Sequence, residues 1–184
     1  KIVPFLQELL AYPKMKAIKE AQVGKGYFPK DKQKELMVFL AKHLGYDFDR
    51  GQLAESAHPF SQSFSNDDAR ITTRYDESDV QSSIFSILHE FGHAMYELNI
   101  AEDLTMTPLC GGVSMGIHES QSRFYENIIG RSTSFWKPIY AAVQAYFPES
   151  YGEVTLEDFV LSINTVEQSY IRVEADELTY PLHI

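Results

Sequence analysis

Between Ser78 and Leu98 the apolar residues Val80, Ile84, Ile87, Leu88, Phe91, Met95 and Leu98 recur at the three- and four-residue spacing of a single helical face. Ser78 or Asp79 is placed to cap its start, so the stretch predicts one long amphipathic helix. Within it lies His89-Glu90-Phe91-Gly92-His93, an H-E-x-x-H pattern. Residues four apart on a helix share a face, so both imidazoles can grip one ion. Zinc suits such a site, because it lowers the pKa of a bound water to about 7 and polarises a carbonyl. Glu90, beside the first histidine, is then the expected general base and acid. A five-residue pattern also arises by chance, and two histidines on a helix can be ordinary polar neighbours. The periodic helix around the motif favours the metal.

A catalytic zinc takes a third protein ligand and keeps one position open. The segment from Tyr96 to Asp103 holds no histidine, which excludes the H-E-x-x-H-x-x-G-x-x-H continuation. Glu97 and Glu102 are too close along the chain to close the coordination sphere. His118-Glu119 falls on the next helix, which can fold back antiparallel after a loop. Adjacent residues point about 100° apart around a helix, so only one of the two can face the ion well. Glu119 and His118 are therefore rivals for the third position.

The rest of the chain predicts a mainly α fold, with a short β-strand region beside the helix of the metal motif. Residues 2–22 are expected to be helical, kinked or broken at Pro13. Gly24–Pro29 is a turn, Asp31 can cap a helix through Leu44, and Gly45 sits where a C-terminal cap belongs. Residues 46–67 carry no regular pattern. From Ala69 to Tyr75 the residues alternate, which predicts a strand, at a sheet edge because Arg70 and Arg74 make one face basic. Further helices are expected over 114–129, over 134–146 with Pro138 in the first turn, and from Thr155 to about Thr179. Thr155 and Asp158 form a capping box in this last helix.

A formal net charge of −10 and the lack of a basic run argue against nucleic acid as a partner. No apolar run is long enough to span a bilayer, which sets membranes aside. The single cysteine, Cys110, excludes an internal disulfide and a cysteine-based zinc cluster and fits a cytoplasmic setting. The chain starts at Lys1 and closes on Leu182-His183-Ile184. The expectation is a single unit over 1–184 that forms the central part of a longer catalytic domain.

Five short segments together resemble the Taq-type metallocarboxypeptidases, zinc peptidases with a His, His, Glu metal site. They are His58-Pro59-Phe60, Asp68-Ala69-Arg70-Ile71-Thr72, His89-Glu90-Phe91-Gly92-His93, His118-Glu119-Ser120-Gln121-Ser122-Arg123 and Ile171-Arg172-Val173-Glu174-Ala175-Asp176. Their order is the family's, and they span positions 58 to 176. The family's Gly-x-x-Gln-Asp-x-His-Trp segment is absent from this chain. The resemblance implies a largely helical peptidase with a deep groove and His89, His93 and Glu119 on the metal. It further implies removal of single residues from peptide C-termini, homodimers, and cobalt or manganese as substitutes for zinc.

A peptide's terminal carboxylate calls for a guanidinium, which binds it through two parallel hydrogen bonds. The candidates are Arg172, Arg70 and Arg74, with Arg172 first; Glu174, Asp176 and Glu177 are its competing salt-bridge partners. The strand through Arg70–Tyr75 could take up an extended peptide by strand addition, unless it is already paired on both sides. His58, in extended backbone before Pro59, could donate to substrate or to a developing oxyanion. Glu126 and Asp176 are candidates to back the ligating imidazoles. The alternatives to a carboxypeptidase are a zinc endo- or oligopeptidase, and a metal-binding fragment without activity of its own.

Overall fold

The structure is a computed structural model that describes residues 2–165. Three helices come first: α1 (Ile2–Leu10), α2 (Pro13–Glu20) and α3 (Lys30–His43). Strands β1 (Leu53–Glu55), β2 (Ser61–Ser65) and β3 (Asp68–Thr73) follow, then the long helix α4 (Val80–Leu98). A short 3-10 turn leads to α5 (Met115–Arg123), which runs on as a π-helical segment over Phe124–Ile129. The described chain closes with α6 (Thr133–Trp136), α7 (Tyr140–Tyr146), α8 (Pro148–Tyr151) and α9 (Leu156–Ile163). The mainly helical expectation holds. No helix of the described residues is long and apolar enough to cross a membrane.

Helix α4 is the axis of the core. Its cap is Asp79, whose carboxylate accepts from the backbone N–H groups of Gln81 and Ser82. Val80, Ile84, Ile87, Leu88, Phe91 and Leu98 are buried, and Met95 is partly so. Each such side chain contributes about 1.5–3 kcal/mol by leaving water. Against this face pack the small sheet, α3 and α5. A buried polar joint locks α3 to α4: the Ser83 hydroxyl lies 2.6 Å from Gln33 Oε1 and 2.7 Å from the Arg74 carbonyl. The Gln33 amide donates to the carbonyls of Phe28 and Asp76.

The sheet corrects two expectations. Its order is β1-β3-β2, with β1 parallel and β2 antiparallel to β3. The Asp68–Thr73 strand is therefore central and paired on both sides, not an edge. Its exposed arginine had suggested an edge, but Ala69, Ile71, Thr72 and Thr73 are all buried. Residues 46–67, expected to be irregular, supply both of its neighbours. In β2 the serines turn inward while Gln62 and Phe64 face out, which inverts the usual hydrophobic alternation and hides the strand.

Helix boundaries show similar local causes. Asp31 lies in the first turn of α3, and the capping position belongs to Pro29. At the other end Gly45 adopts φ 93°, and Tyr46 N–H reaches back to the Ala41 carbonyl, the Schellman closure expected of a glycine there. Pro138 splits the helix expected over 134–146 into α6 and α7, because proline has no N–H to give and its ring clashes with the preceding turn. Thr155 caps α9 by accepting from Asp158 N–H. That helix ends at Ile163, and the segment expected to be helical beyond 165 lies outside the described residues.

Candidate metal centre

One turn apart on α4, His89 and His93 hold their rings 5.0 Å apart, centroid to centroid. Helix α5 is capped by Ser114, whose hydroxyl accepts from Ile117 N–H, and packs along the same stretch of α4. This brings Glu119 in front of both imidazoles. Its Oε2 lies 3.6 Å from His89 Nε2 and 3.5 Å from His93 Nε2. One ligand atom from each of the three residues lies within 4.8 Å of the other two. Ligands about 2.1 Å from a tetrahedral zinc stand about 3.4 Å from one another. Two nitrogens and one carboxylate oxygen at this spacing could hold a metal ion.

Both imidazoles are backed from behind. His89 Nδ1 lies 2.8 Å from Glu126 Oε2, so the carboxylate accepts its proton and Nε2 is left bare toward Glu119. His93 Nδ1 lies 2.7 Å from His118 Nδ1, and His118 Nε2 lies 2.6 Å from Glu97 Oε1. His118, the rival of Glu119 in the sequence, is thus turned behind His93 and away from the shared point.

Charge at the site is unevenly distributed. Glu90 is buried, and burial pushes its carboxyl above the ordinary glutamate range, against the pull of His89, His93 and the nearby Ser61 hydroxyl. Glu119 moves the other way, held below that range chiefly by the His93 imidazole beside it and then by the charge of His89. For His89 burial is the largest single influence and lowers its pKa; the Glu126 hydrogen bond and the charges of Glu126, Glu119 and Glu90 together outweigh it and raise the ring. The two glutamates of the site thus shift in opposite directions.

Beside the histidines opens a cleft of about 500 Å³, with Ser61, Ser63, Phe64, His93, Glu97 and His118 in its wall. Strand β2 runs along it, with Ser61 close enough to Glu90 to influence its carboxyl. The other expected residues fall elsewhere. Arg70 is exposed and forms two hydrogen bonds to Asp68, at 2.9 and 2.8 Å, with Phe64 beneath its guanidinium. Arg74 is exposed just after β3, and His58 is exposed in the bend between β1 and β2. Neither lines the cleft. Arg172 and Asp176 lie outside the described residues. Ser61 escaped the sequence analysis because a serine in a serine-rich stretch carries no positional signal.

The carboxypeptidase Taq (M32) metallopeptidase model matches residues 1–184. Carboxypeptidase 1 of Bacillus subtilis (strain 168) is 56% identical over 157 residues, 85% of this chain and 31% of that protein. Thermostable carboxypeptidase 1 of Thermus thermophilus is 46% identical over 157 residues, with the same coverage of both. In three dimensions the M32 carboxypeptidase from Deinococcus radiodurans R1 matches with a TM-score of 0.84 at 40% identity, over 99% of this chain and 38% of that one. The chain spans about a third of the length of these curated relatives. Matched along its whole length by the family model, and by relatives this similar, the chain belongs to the carboxypeptidase Taq (M32) metallopeptidase family.

Proposed function

We propose that the chain carries the metal-holding and proton-transferring part of a zinc-dependent carboxypeptidase that hydrolyses the C-terminal peptide bond of peptides. One observation supports this above all: His89 Nε2, His93 Nε2 and Glu119 Oε2 converge, with the buried Glu90 beside them. His89, His93 and Glu119 would hold the ion, zinc by its donor set, with cobalt or manganese as substitutes. When bound, the ion supplies an acidified water and a polarised carbonyl. Glu90 accepts the proton of the attacking water and returns it to the leaving amine nitrogen. Its raised pKa suits both halves of that exchange.

A peptide in the cleft would lie along β2. The central strand β3 is paired on both sides, whereas the outer edge of β2 carries no strand among the described residues. Extended substrate backbone can pair there. Recognition of the terminal carboxylate is proposed for Arg172, since Arg70 is already engaged by Asp68.

The test uses the whole protein with paired peptides that differ only in a free or amidated C-terminus. Release of single residues from the free acid and none from the amide is the expected result. Internal cleavage of the amidated peptide would overturn the carboxypeptidase assignment in favour of an endopeptidase. Zinc bound without turnover of either would leave a metal-binding unit alone.

A further inference from the structure

Hydrogen-bond chemistry gives the chain of contacts behind His93 a single direction. A carboxylate accepts and cannot donate, so with Glu97 Oε1 at 2.6 Å, His118 Nε2 carries a hydrogen. A neutral imidazole protonated there has a bare Nδ1. That Nδ1 accepts the proton of His93 Nδ1, 2.7 Å away. His93 is left with a bare Nε2, the atom 3.5 Å from Glu119 Oε2. The reverse order would set a bare His118 nitrogen 2.6 Å from the Glu97 carboxylate, with no room for an ion between them, and protonate the His93 nitrogen that faces the ion's place.

His118 is also gripped on its other sides. The Tyr96 ring meets it edge-on, with centroids 5.0 Å apart and planes at 73°. The 104–114 loop lies against it at Gly112, where an added Cβ would stand 2.4 Å from His118 Cδ2. Only a glycine lets backbone come so near. The ring is mostly buried, with 18% of its side-chain surface exposed. A side chain meant only to fill space would not need two aligned polar partners and a glycine-lined slot. On the His89 side, one carboxylate does the same work directly.

We infer that His118 and Glu97 are positioning residues that set the tautomer and orientation of His93 for the metal. The inference rests on the metal centre proposed above. His118 holds His93 Nδ1–H, and Glu97 holds His118 in the one tautomer that can accept it. Loss of such backing typically costs about 10- to 100-fold in metal affinity.

The experiment titrates zinc, against a competing chromophoric chelator, into the whole metal-free protein and its variants. His118→Ala should weaken zinc binding by about 10- to 100-fold while the metal-free protein keeps its melting temperature within a few degrees. His118→Asn should recover most of the affinity, because its Oδ1 can accept from His93 in place of Nδ1. Glu97→Gln, which still offers an acceptor oxygen, should bind more tightly than Glu97→Ala. In the cobalt-substituted protein the exchangeable ring N–H signal of His93 should be lost to solvent in His118→Ala and retained in His118→Asn. A folded His118→Ala with zinc affinity within about twofold of the parent would overturn the assignment, as would a His118→Asn no better than His118→Ala. Should His118→Ala fail to fold, the comparison of His118→Asn with the Glu97 pair decides in the same way. Unchanged zinc binding in His93→Ala would strike instead at the metal centre itself.

Discussion

Gly92 and Ser122 meet backbone to backbone where α4 packs on α5: a Cβ at Gly92 would stand 2.6 Å from Ser122 Cα and 2.8 Å from the Gln121 carbonyl oxygen. The contact sets how far Glu119, three residues before Ser122, stands from the two histidines. Gly92→Ala should therefore push the helices apart. The expected cost is about 1–3 kcal/mol of stability, with a concurrent loss of zinc affinity. Thermal melting and zinc titration of the whole protein check both; a normal melt with normal affinity would break the link between packing and site.

Glu90→Gln keeps the shape and burial of the side chain but removes its basicity. Turnover should fall by about 10²–10⁴-fold while zinc content is unchanged. Steady-state kinetics beside metal analysis would show it. Near-parental activity would remove Glu90 from its proposed role.

Glu126 touches no point of the proposed coordination sphere, yet its Oε2 fixes which nitrogen of His89 is bare. Glu126→Ala should lower zinc affinity by about 10- to 100-fold, and Glu126→Gln should lose less because it can still accept from Nδ1. Equal affinities across the three proteins would count against the backing bond.

Tyr46 joins the end of α3 to the sheet, its hydroxyl donating to the Ala69 carbonyl at 2.5 Å. Burial pushes that hydroxyl up to about 12. Below the unfolded tyrosine value of about 10 both states are neutral and the contribution is complete. Between about 10 and 12 the unfolded chain releases the proton while the folded one keeps it, so stability falls as pH rises. Tyr46→Phe should cost about 0.5–1.5 kcal/mol near neutral pH and show a shallower loss across that alkaline window. Denaturant melts at several pH values measure both. Tyr75 and Tyr140, also raised to about 12 by burial, keep the remaining slope from vanishing.

Sequence alone determined what depends on near neighbours. The period of Val80, Ile84, Ile87, Leu88, Phe91 and Leu98 made α4 a helix with one buried side, and four-residue spacing put His89 and His93 on one face. Gly45 and Thr155 end and start helices through bonds within a few residues, so they too were legible. Only the tertiary structure decided what depends on partners far along the chain. Pairing buried β3 between β1 and β2, although its Arg70 resembled an edge residue. Packing at Gly92 brought Glu119 in front of the histidines and turned His118 behind them, a choice that adjacent positions on one helix leave open. Spacing along a helix is dictated by local backbone geometry, whereas a hydrogen bond between His118 and Glu97, or Glu126 and His89, exists only once two helices have docked.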